Sequence, residues 1–387
     1  MKYKNVLFPS DVTGTGVWRL LWPMHEVSND PEIETTVMRH DVMDPNYFKG
    51  MNMIMLQRPI ADFQMQYIKN ILIPASKTFG IWLTANLDDC LHPDEIPEYN
   101  MGRPAYLTSG AVNNIKFMLD NLNMLIVSTD ELSTYYQQKY NVDPRKILKV
   151  LNYLPDWEFG HKYNERDTMD LVQANIKRPR IGIISSTSHY NQDPNSKVKD
   201  DLDLIYDLII NTIDKYRWVF LGSLPHKITP YVKAGKIEYH QGVHIYNYPN
   251  AIKSLNVNCI VAPLIDNTFN RCKSNIKILE ASALGIPFFV QNLPNYSRYT
   301  EHTFSDQLDL EKKLKHFFNL SKYNVRDIIR SNYEWLKKPH PEGNGWWMSG
   351  NRETYKLIFK IKHYSSTLNL ADYAKYYMAN LKNAEVK

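Results

Sequence analysis

Cysteine is scarce in this chain of 387 residues, which contains only Cys90, Cys259 and Cys272. Their spacing fits no metal-binding pattern and gives no disulfide framework of the kind found in small secreted proteins. Long apolar runs are also missing. No stretch approaches the ~18 residues that cross a membrane, and the N-terminal MKYKNVLFPSDV lacks the apolar core of a signal peptide. We therefore expect a cytoplasmic protein without a membrane span.

Charge of one sign is not in large excess either. The chain carries 46 Lys and Arg residues against 41 Asp and Glu residues, a net charge of +5 at pH 7. This permits a polyanionic partner such as nucleic acid but does not indicate one by itself. With 43% hydrophobic and 22% charged residues, the composition is that of a globular protein. The length suggests two domains.

Short apolar runs alternate with stretches of helical periodicity along most of the chain. KNVLFPS, MNMIMLQRP, FGIWLTANL and MLIVSTDEL are typical of buried strands, and RIGIISS, RWVFLGS, NCIVAPLI and PFFVQNL form a second series. This alternation predicts an α/β protein with two doubly wound, Rossmann-like domains.

The expected domains are residues 1–160 and 175–340, with a polar connection near 155–178. Helices of the C-terminal tail, about 355–387, are expected to pack back onto the first domain, because they carry apolar stripes. Such folds bind ligands at the carboxyl ends of their strands, here in a cleft between the two domains.

The segment SDVTGTGVWRL, residues 10–20, directly follows the first predicted strand. Gly14 and Gly16 allow a tight turn and a close approach of the backbone to a ligand, and Arg19 falls in the first turns of the next helix. The third glycine of the dinucleotide fingerprint is missing. A ligand-binding loop and a plain strand-to-helix turn both fit this pattern.

Two adjacent aspartates, Asp88 and Asp89, come at the end of the fourth predicted strand. Carboxylates in this place suit a general base or a group that orients an acceptor hydroxyl. A helix cap or a solvated turn is the alternative. Adjacent carboxylates on a strand point to opposite faces, so we expect no bound metal.

The strand RIGIISS runs into the polar segment STSHYNQD. Hydroxyl groups in this segment, including that of Ser186, can donate hydrogen bonds to phosphate oxygens, and His189 could neutralise the charge of a leaving diphosphate. A surface histidine without such a role is the alternative.

The stretch APLIDNTFNRCKSNIKILEASALGIP, residues 262–287, places charges beside a buried strand. Ser274 is expected to cap a helix. Lys273, Lys277 and Glu280, spaced i, i+4 and i+7, are expected to share one stripe of that helix. Free N–H groups at a helix N-terminus, together with two ammonium groups, would form a seat for a diphosphate. A solvated face with a local Lys–Glu pair is the alternative.

A tryptophan-rich segment, EGNGWWMSGNRE, lies near the C-terminus. Trp346 and Trp347 could cover a hydrophobic edge or stack on a base or a sugar, since aromatic faces serve each purpose.

The run APLIDNTFNRCKSNIKILEASALGIPFFV resembles the donor-binding segment of GT-B glycosyltransferases of the retaining, family-4-like group. Together with GTGVWRLLWP near the N-terminus, the pattern looks like glycosyltransferases encoded by T-even-like bacteriophages and cyanophages. The similarity covers about residues 6–340. Shorter matches follow in the expected order: LQRP at 56–59, LDD at 87–89, VSTDEL at 127–132, LNYLPDW at 151–157 and SSTSH at 185–189.

The resemblance implies roles for individual residues. Glu280 would be the carboxylate that binds the ribose hydroxyls of the nucleotide. Ser274 and Asn275 would present backbone N–H groups to the diphosphate, and Lys273 and Lys277 would counter its charge. These roles imply a nucleotide-sugar site at the start of the predicted helix.

The chain departs from the family pattern at Cys272, where the family carries a second glutamate that contacts the donor sugar. The identity of the sugar is therefore not implied. The arginine and lysine that the family carries after the first strand of the second domain are not evident after RIGIISS. Arg271 and Lys273 are expected to replace them.

Residues and resemblance together predict a glycosyltransferase that moves a sugar from a nucleotide-diphosphate donor, expected to be UDP-linked, to a hydroxyl without an obligatory cofactor. The expected acceptor is 5-hydroxymethylcytosine in phage DNA, flipped out of the duplex. Synthesis of a surface polysaccharide, or a decayed nucleotide-sugar-binding module, is the alternative. The basic residues expected to hold DNA phosphates are Arg19, Arg58, Arg103, Lys356, Lys360 and Lys362.

Overall fold

Two parallel β-sheets of six strands each form the framework of the chain. The computed structural model describes residues 2–59, 61–108, 110–174, 177–341 and 343–361. The strands are β1 (Tyr3–Phe8), β2 (Ile33–Val37), β3 (Met53–Gln57), β4 (Trp82–Leu87), β5 (Met124–Val127), β6 (Ile147–Lys149), β7 (Arg180–Ser185), β8 (Arg217–Gly222), β9 (Glu238–Gln241), β10 (Cys259–Ala262), β11 (Phe288–Gln291) and β12 (Thr303–Phe304).

The order of strands reverses once in each sheet. The first sheet has the order β2-β1-β3-β4-β5-β6, and the second has the order β12-β11-β10-β7-β8-β9. The reversals fall between β1 and β3 and between β7 and β10, which are the places where doubly wound sheets open a crevice for ligands. The predicted α/β class with two doubly wound sheets is confirmed.

Helices connect the strands and cover both sheets. They are α1 (Trp22–Val27), α2 (Asp62–Tyr67), α3 (Ile73–Phe79), α4 (Ala111–Asn121), α5 (Asp130–Tyr140), α6 (Asp156–Phe159), α7 (Glu165–Ala174), α8 (Tyr206–Asn211), α9 (Thr229–Lys233), α10 (Tyr248–Ser254), α11 (Thr268–Arg271), α12 (Ile276–Ala283), α13 (Pro294–Ser297), α14 (Gln307–Phe318), α15 (Lys322–Trp335) and α16 (Arg352–Phe359). Two π-helical turns, Val17–Leu21 and Ile68–Leu72, precede α1 and α3.

Alternate residues of the central strands enter different cores, because successive side chains of a strand point to opposite faces. On β3, Ile54 and Leu56 pack into a core around the first sheet, which also takes in Phe269 and Cys272 of the second half. Met53 and Met55 enter a second core that also contains Val219 of the second sheet. This shared core joins the two halves of the chain. Near-continuous burial of such strands is what a parallel sheet covered on both faces requires.

The predicted polar connection near 155–178 contains more structure than its composition indicated. Helix α7 lies within it and packs against α15, where Arg330 binds Glu165 with Nη2 and Oε1 2.7 Å apart. The rings of Tyr163 and Tyr333 also stack there, with centroids 4.4 Å apart. The domain limits themselves stay a prediction.

The chain returns from the second half to the first near its C-terminus. Leu154 N donates to Trp346 O at 2.8 Å and Met348 N donates to Leu154 O at 2.9 Å, so the two passages between the halves lie side by side. Helix α16 then lies against α1, and Asn5 Nδ2 donates to Phe359 O at 3.0 Å. The rest of the predicted helical tail, from residue 362 onward, lies outside the described residues.

Trp346 is almost completely buried in the shared core, against Tyr299 and His340. The interpretation that this segment covers a hydrophobic edge is therefore correct for Trp346. Stacking of the Trp346 indole on a base or a sugar is not possible in this position.

Glu238 links three strands at the outer edge of the second sheet. Its carboxylate binds Arg180 of β7 at 2.7 Å, Arg217 of β8 at 2.9 Å and His240 of β9 at 2.7 Å. Burial raises the pKa of Glu238, but the hydrogen bonds and charges of its basic partners outweigh burial and lower that pKa to about 2.

Candidate nucleotide-sugar site

A cleft of about 590 Å³ lies where loops at the carboxyl ends of strands from both sheets meet. From the first half it is lined by the loops after β1, β3 and β4, and from the second half by the loops after β7, β8, β9 and β10 and by α12. Both reversal points of strand order therefore open into this space. The predicted site residues that line it are Gly14, Arg19, Asp88, Asp89, Ser186, His189, Lys273, Ser274, Lys277 and Glu280.

Asp11 builds the glycine-containing loop after β1. Its carboxylate accepts hydrogen bonds from the backbone N–H groups of Thr13 at 3.0 Å, Gly14 at 2.6 Å and Gly16 at 3.2 Å. A Cβ on Gly16 would lie 1.9 Å from the carbonyl oxygen of Asp11, so only glycine fits there. Gly16 shapes the loop from outside the cleft, and the N–H groups of both glycines are already occupied by Asp11.

Arg19 lies in the π-helical turn that follows this loop and is buried. Its Nε donates to Asn86 Oδ1, and its Nη1 donates to Val150 O and Asn152 Oδ1, each at 2.8 Å. Its Nη2 has no partner among the described residues. Asn152 Nδ2 in turn donates to Ser274 Oγ at 2.7 Å. Arg19 thus anchors a chain of hydrogen bonds that crosses from the first half to the second.

Asp88 and Asp89 both bind Arg58. The Nε atom of Arg58 lies 2.7 Å from Asp88 Oδ1, and its Nη2 binds Asp89 Oδ2. The expectation that the two carboxylates point to opposite faces is wrong, because β4 ends at Leu87 and both aspartates follow it in a loop. Burial would lower the pKa of Arg58, but the two carboxylates outweigh burial and raise it.

These paired carboxylates do not form a metal centre with other ligands. Within the part of the chain that the structure describes, no three His, Cys, Asp or Glu side chains come together as a group that could hold a metal ion. Burial raises the pKa of Asp88, and the charge of Arg58 opposes this rise. Arg58 binds only Oδ1 of Asp88, and the second carboxylate oxygen can accept the proton of an acceptor hydroxyl.

The loop after β7 brings Ser186 and His189 to the opposite wall of the cleft. Ser186 is exposed, and its Oγ accepts a hydrogen bond from Ser188 N at 3.4 Å. His189 Nδ1 lies 2.8 Å from Oδ2 of Asp201, a carboxylate with an exposed fraction of only 1%. The histidine ring is therefore fixed by a buried acid.

The basic residues near α12 line the same wall, although the helix begins later than predicted. It starts at Ile276 after Asn275, with no side-chain cap, so the prediction that Ser274 caps it is wrong. Ser274 Oγ instead accepts the hydrogen bond from Asn152. Lys273 precedes the helix rather than sharing its stripe, and its ammonium lies 4.7 Å from the centre of the Phe269 ring.

Lys277 and Glu280 form a partly buried pair with Tyr248. Lys277 Nζ lies 3.2 Å from Glu280 Oε2 and 2.9 Å from the Tyr248 hydroxyl, which itself lies 3.3 Å from Glu280 Oε2. Burial would lower the pKa of Lys277, but Glu280 and Tyr248 outweigh it and raise the pKa, so the amine stays charged at neutral pH. The Glu280 carboxylate is buried at the cleft wall.

Two predicted site residues of this segment lie outside the cleft. Arg271 is exposed, and its Nη2 binds Asp266 Oδ2 at 2.7 Å. Asn275 faces a separate small pocket that is also lined by Thr129 and Arg298. Neither side chain reaches the cationic wall formed by Lys273 and Lys277.

Cys272 also points away from the cleft. It is buried, its carbonyl accepts a hydrogen bond from Thr129 Oγ1 at 3.0 Å, and its thiol belongs to the core of the first sheet together with Cys90. The position at which the resembling family contacts the donor sugar is thus part of the contact between the two halves.

Sequence reasoning did not assign four residues to the nucleotide-sugar site, although it named Arg58 as an expected contact of DNA phosphates. Asp201, Tyr248 and Asn152 hold predicted residues in place, and Arg58 pairs the two aspartates. Arg58 had a sequence signal, since LQRP was part of the resemblance. Asn152 lies in the matched LNYLPDW, whereas Tyr248 and Asp201 lie in segments that carry no motif.

The chain matches no known protein family by sequence, but its structure is clearly similar to solved structures. No protein-family model matches the chain, and no curated protein sequence is significantly similar to it. HepE from Anabaena, solved in complex with UDP and glucose, superimposes with a TM-score of 0.62 and 10% identity over 93% of this chain and 100% of its own. Another HepE structure contains UDP-glucose.

Two glycosyltransferases are also similar in fold. One, from Rickettsia africae, has a TM-score of 0.58 and 12% identity over 93% of this chain and 98% of its own. WaaG, a glycosyltransferase involved in lipopolysaccharide biosynthesis, has a TM-score of 0.56 and 12% identity over 92% of this chain and 100% of its own. The chain has the GT-B fold.

The GT-B fold was the predicted one, and the prediction is confirmed at the level of fold. Membership of the retaining, family-4-like group and the phage-type resemblance stay hypotheses, because identities of 10–12% extend no further than the fold. In this GT-B chain, none of the described helices has the length and apolar character needed to cross a membrane.

Proposed function

We propose that this chain is a glycosyltransferase that takes a sugar from a UDP-sugar and passes it to a hydroxyl group of an acceptor. The observation that carries the proposal is the composition of the two cleft walls. One wall presents Lys273, Lys277 and Glu280, and the other presents Asp88 and Asp89. The UDP and UDP-glucose bound to HepE, which has the same fold, support the choice of nucleotide.

On the donor side, Glu280 accepts hydrogen bonds from the ribose hydroxyls, and Lys273 and Lys277 bind the diphosphate. Negative charge develops on the leaving UDP as its bond to the sugar breaks. Two fixed ammonium groups stabilise that charge without having to reorganise during the reaction. Ser186 and His189 lie near one another in the same cleft, where they add hydrogen bonds to the diphosphate oxygens.

On the acceptor side, Asp88 or Asp89 takes the proton of the attacking hydroxyl. A general base must lie within hydrogen-bonding reach of the proton that it removes, and both carboxylates face the cleft. Arg58 holds them in place until the acceptor is bound. Retention of configuration at the sugar is a hypothesis that rests on the sequence resemblance.

No observation favours 5-hydroxymethylcytosine in DNA over another hydroxyl acceptor. Each described basic residue that was expected to hold DNA phosphates is buried or bound to a carboxylate. These residues are Arg19, Arg58, Arg103, Lys356 and Lys360, and Lys362 lies outside the described residues. The DNA acceptor stays a hypothesis beside the glycan acceptor.

The test combines the purified protein with UDP-glucose, UDP-galactose or UDP-N-acetylglucosamine and measures release of UDP. We expect slow release with at least one donor and faster release when an acceptor is added. DNA containing 5-hydroxymethylcytosine and a set of oligosaccharides are the acceptors, followed by mass spectrometry for the added sugar. Absence of UDP binding and of release with every donor would refute the proposal. Binding without release or transfer would identify a nucleotide-sugar-binding module instead.

A further inference from the structure

Asp201 is a buried carboxylate that accepts hydrogen bonds from both halves of the chain. Its Oδ1 accepts hydrogen bonds from the Tyr99 hydroxyl at 2.9 Å, the Ile265 backbone N–H at 2.7 Å and Asn270 Nδ2 at 3.0 Å. Its Oδ2 binds His189 Nδ1 at 2.8 Å. Tyr99 belongs to the first half, whereas the other three partners belong to the second. A carboxylate that accepts this number of hydrogen bonds is held in one orientation.

The bond to Asp201 determines which nitrogen of His189 carries the proton. The carboxylate oxygen accepts this hydrogen bond, so Nδ1 is the protonated atom. Nε2, on the opposite edge of the ring, has no hydrogen-bond partner among the described residues, and the ring lines the cleft. A neutral His189 therefore presents a lone pair to the cleft and cannot donate to a phosphate oxygen.

The charges that face His189 disfavour its protonation while the cleft is empty. Burial lowers the pKa of His189, the Lys273 and Lys277 ammonium groups lower it further, and Asp201 opposes these effects. The neighbouring Tyr190 ring, with its centroid 6.5 Å away, carries no charge at neutral pH. A diphosphate seated beside the two lysines would reverse their effect on the imidazole, because its negative charge outweighs theirs at that place.

We propose that Asp201 is a positioning residue that makes His189 take up a proton when a nucleotide diphosphate binds. The proton comes from solvent and is added to Nε2, which then donates a hydrogen bond to a diphosphate oxygen. Asp201 balances the resulting imidazolium charge. No covalent bond changes in this step, and the proton returns to solvent when UDP leaves. The inference rests on the proposed function, since it requires UDP in the cleft.

The test measures proton uptake by calorimetry of UDP binding at pH 7.5 in HEPES and in Tris buffers. The two buffers differ in ionisation enthalpy, so the difference in observed heat gives the number of protons exchanged. We expect net uptake. UDP bound as its fully ionised form would itself release protons, since the second pKa of a phosphate group is about 6. The sign of the exchange therefore distinguishes proton uptake by His189 from proton release by UDP. Uridine, which lacks phosphates, should cause no proton exchange.

Three variants assign the effect to residues. His189→Gln should abolish the uptake and weaken UDP binding about tenfold, the low end for a lost hydrogen bond to a charged group. Asp201→Asn has a single amide oxygen, which the three donors at the Oδ1 position occupy, so its NH2 group faces Nδ1 and donates to it. His189 then carries its proton on Nε2 while neutral, and proton uptake should be lost. Tyr99→Phe removes a different donor from the same carboxylate and is the matched control, in which uptake should persist.

The outcomes separate this inference from the proposed function. If UDP fails to bind the wild-type protein, the proposed function is wrong. If UDP binds without proton uptake, or if His189→Gln keeps the uptake, the inference alone is overturned. Unchanged proton uptake at pH 7.5 in a folded Asp201→Asn variant would show that Asp201 has no part in this uptake. Should Asp201→Asn not fold, the wild-type protein and His189→Gln still decide whether the proton is taken up at His189.

Discussion

Replacement of Glu280 by Gln gives the sharpest test of the nucleotide site. The side chain keeps its size and can still bind the Tyr248 hydroxyl, but the charge that would accept the ribose hydroxyl protons is lost. A hydrogen bond to a charged group contributes about 1.5–3 kcal/mol, so we expect affinity to fall about 10- to 150-fold. Because the contact is to ribose, UDP and uridine should weaken by the same factor.

The same substitution has a cost in stability that can be estimated from the structure. Removal of one partner from a fully buried ion pair destabilises a protein by about 3–5 kcal/mol. The Lys277 side chain is 26% exposed to solvent, and the Tyr248 hydroxyl lies 2.9 Å from its ammonium group. We therefore expect a loss of about 1–2 kcal/mol in the free energy of unfolding, which leaves the protein folded for binding measurements.

Calorimetric titration of UDP and of uridine into the folded variant measures both affinities. Glu334→Gln is the matched control, because Glu334 and Lys337 form an exposed pair with the same i, i+3 spacing at the C-terminal end of α15. Glu334→Gln should leave both affinities unchanged. Wild-type affinity for both ligands in folded Glu280→Gln would remove Glu280 from the nucleotide site. A loss for UDP alone would show that Glu280 acts through the phosphates instead.

Four other substitutions test separate parts of the structure. Lys273→Met should weaken UDP binding about tenfold while uridine binding is unchanged, because the ammonium acts on phosphate; equal losses by calorimetry would contradict this. Asp88→Asn or Asp89→Asn should reduce turnover about 100-fold with UDP affinity unchanged, the usual contribution of a general base; full turnover in both variants would mean that another group accepts the proton. Glu238→Gln should lower the free energy of unfolding at pH 7 by about 2 kcal/mol. The pKa of Glu238 falls from an ordinary value of 4.5 to about 2 on folding, so this stabilisation is complete above about pH 4.5 and disappears as the pH falls towards 2. Chemical denaturation of both proteins across that range should therefore converge in acid, and a constant difference down to pH 2 would exclude the carboxylate as the cause.

Most of the strands that the sequence predicted are those whose side chains are buried on both faces. β3 and β8 are examples, since each is a continuous apolar run. β6 and β12 were missed because they are only three and two residues long and mostly half-buried. Helix α7 was missed as well, because a helix that packs by one face within a polar segment gives a weak apolar signal.

In the candidate site, the residues that could be predicted are those that belong to one continuous segment. Lys277 and Glu280 are three positions apart on a helix, and this spacing alone brings their side chains together. Asp201 could not be predicted, because its partners Tyr99, Ile265 and Asn270 are far from it along the chain. The sequence around Asp201 indicates only a solvated acidic residue at the start of a helix.

Arg271 and Ser274 illustrate the opposite error. Both lie in the most informative stretch of the sequence. Yet Arg271 binds Asp266 at the surface, and Ser274 accepts a hydrogen bond from Asn152 instead of capping α12. A motif specifies which segment enters the site. It does not specify which way each side chain turns, because that depends on partners contributed by the other half of the chain.

The paired passages between the two halves restrict how the cleft can open. A single connecting segment would let one half twist freely about it. Here Leu154 and Trp347 bridge the two passages in parallel, so twisting one half would shear the hydrogen bonds between them. Bending both passages together keeps those bonds and separates the cleft walls along one direction only. The second passage thus limits the torsional freedom of the halves, together with the shared core and the hydrogen bonds that cross between them.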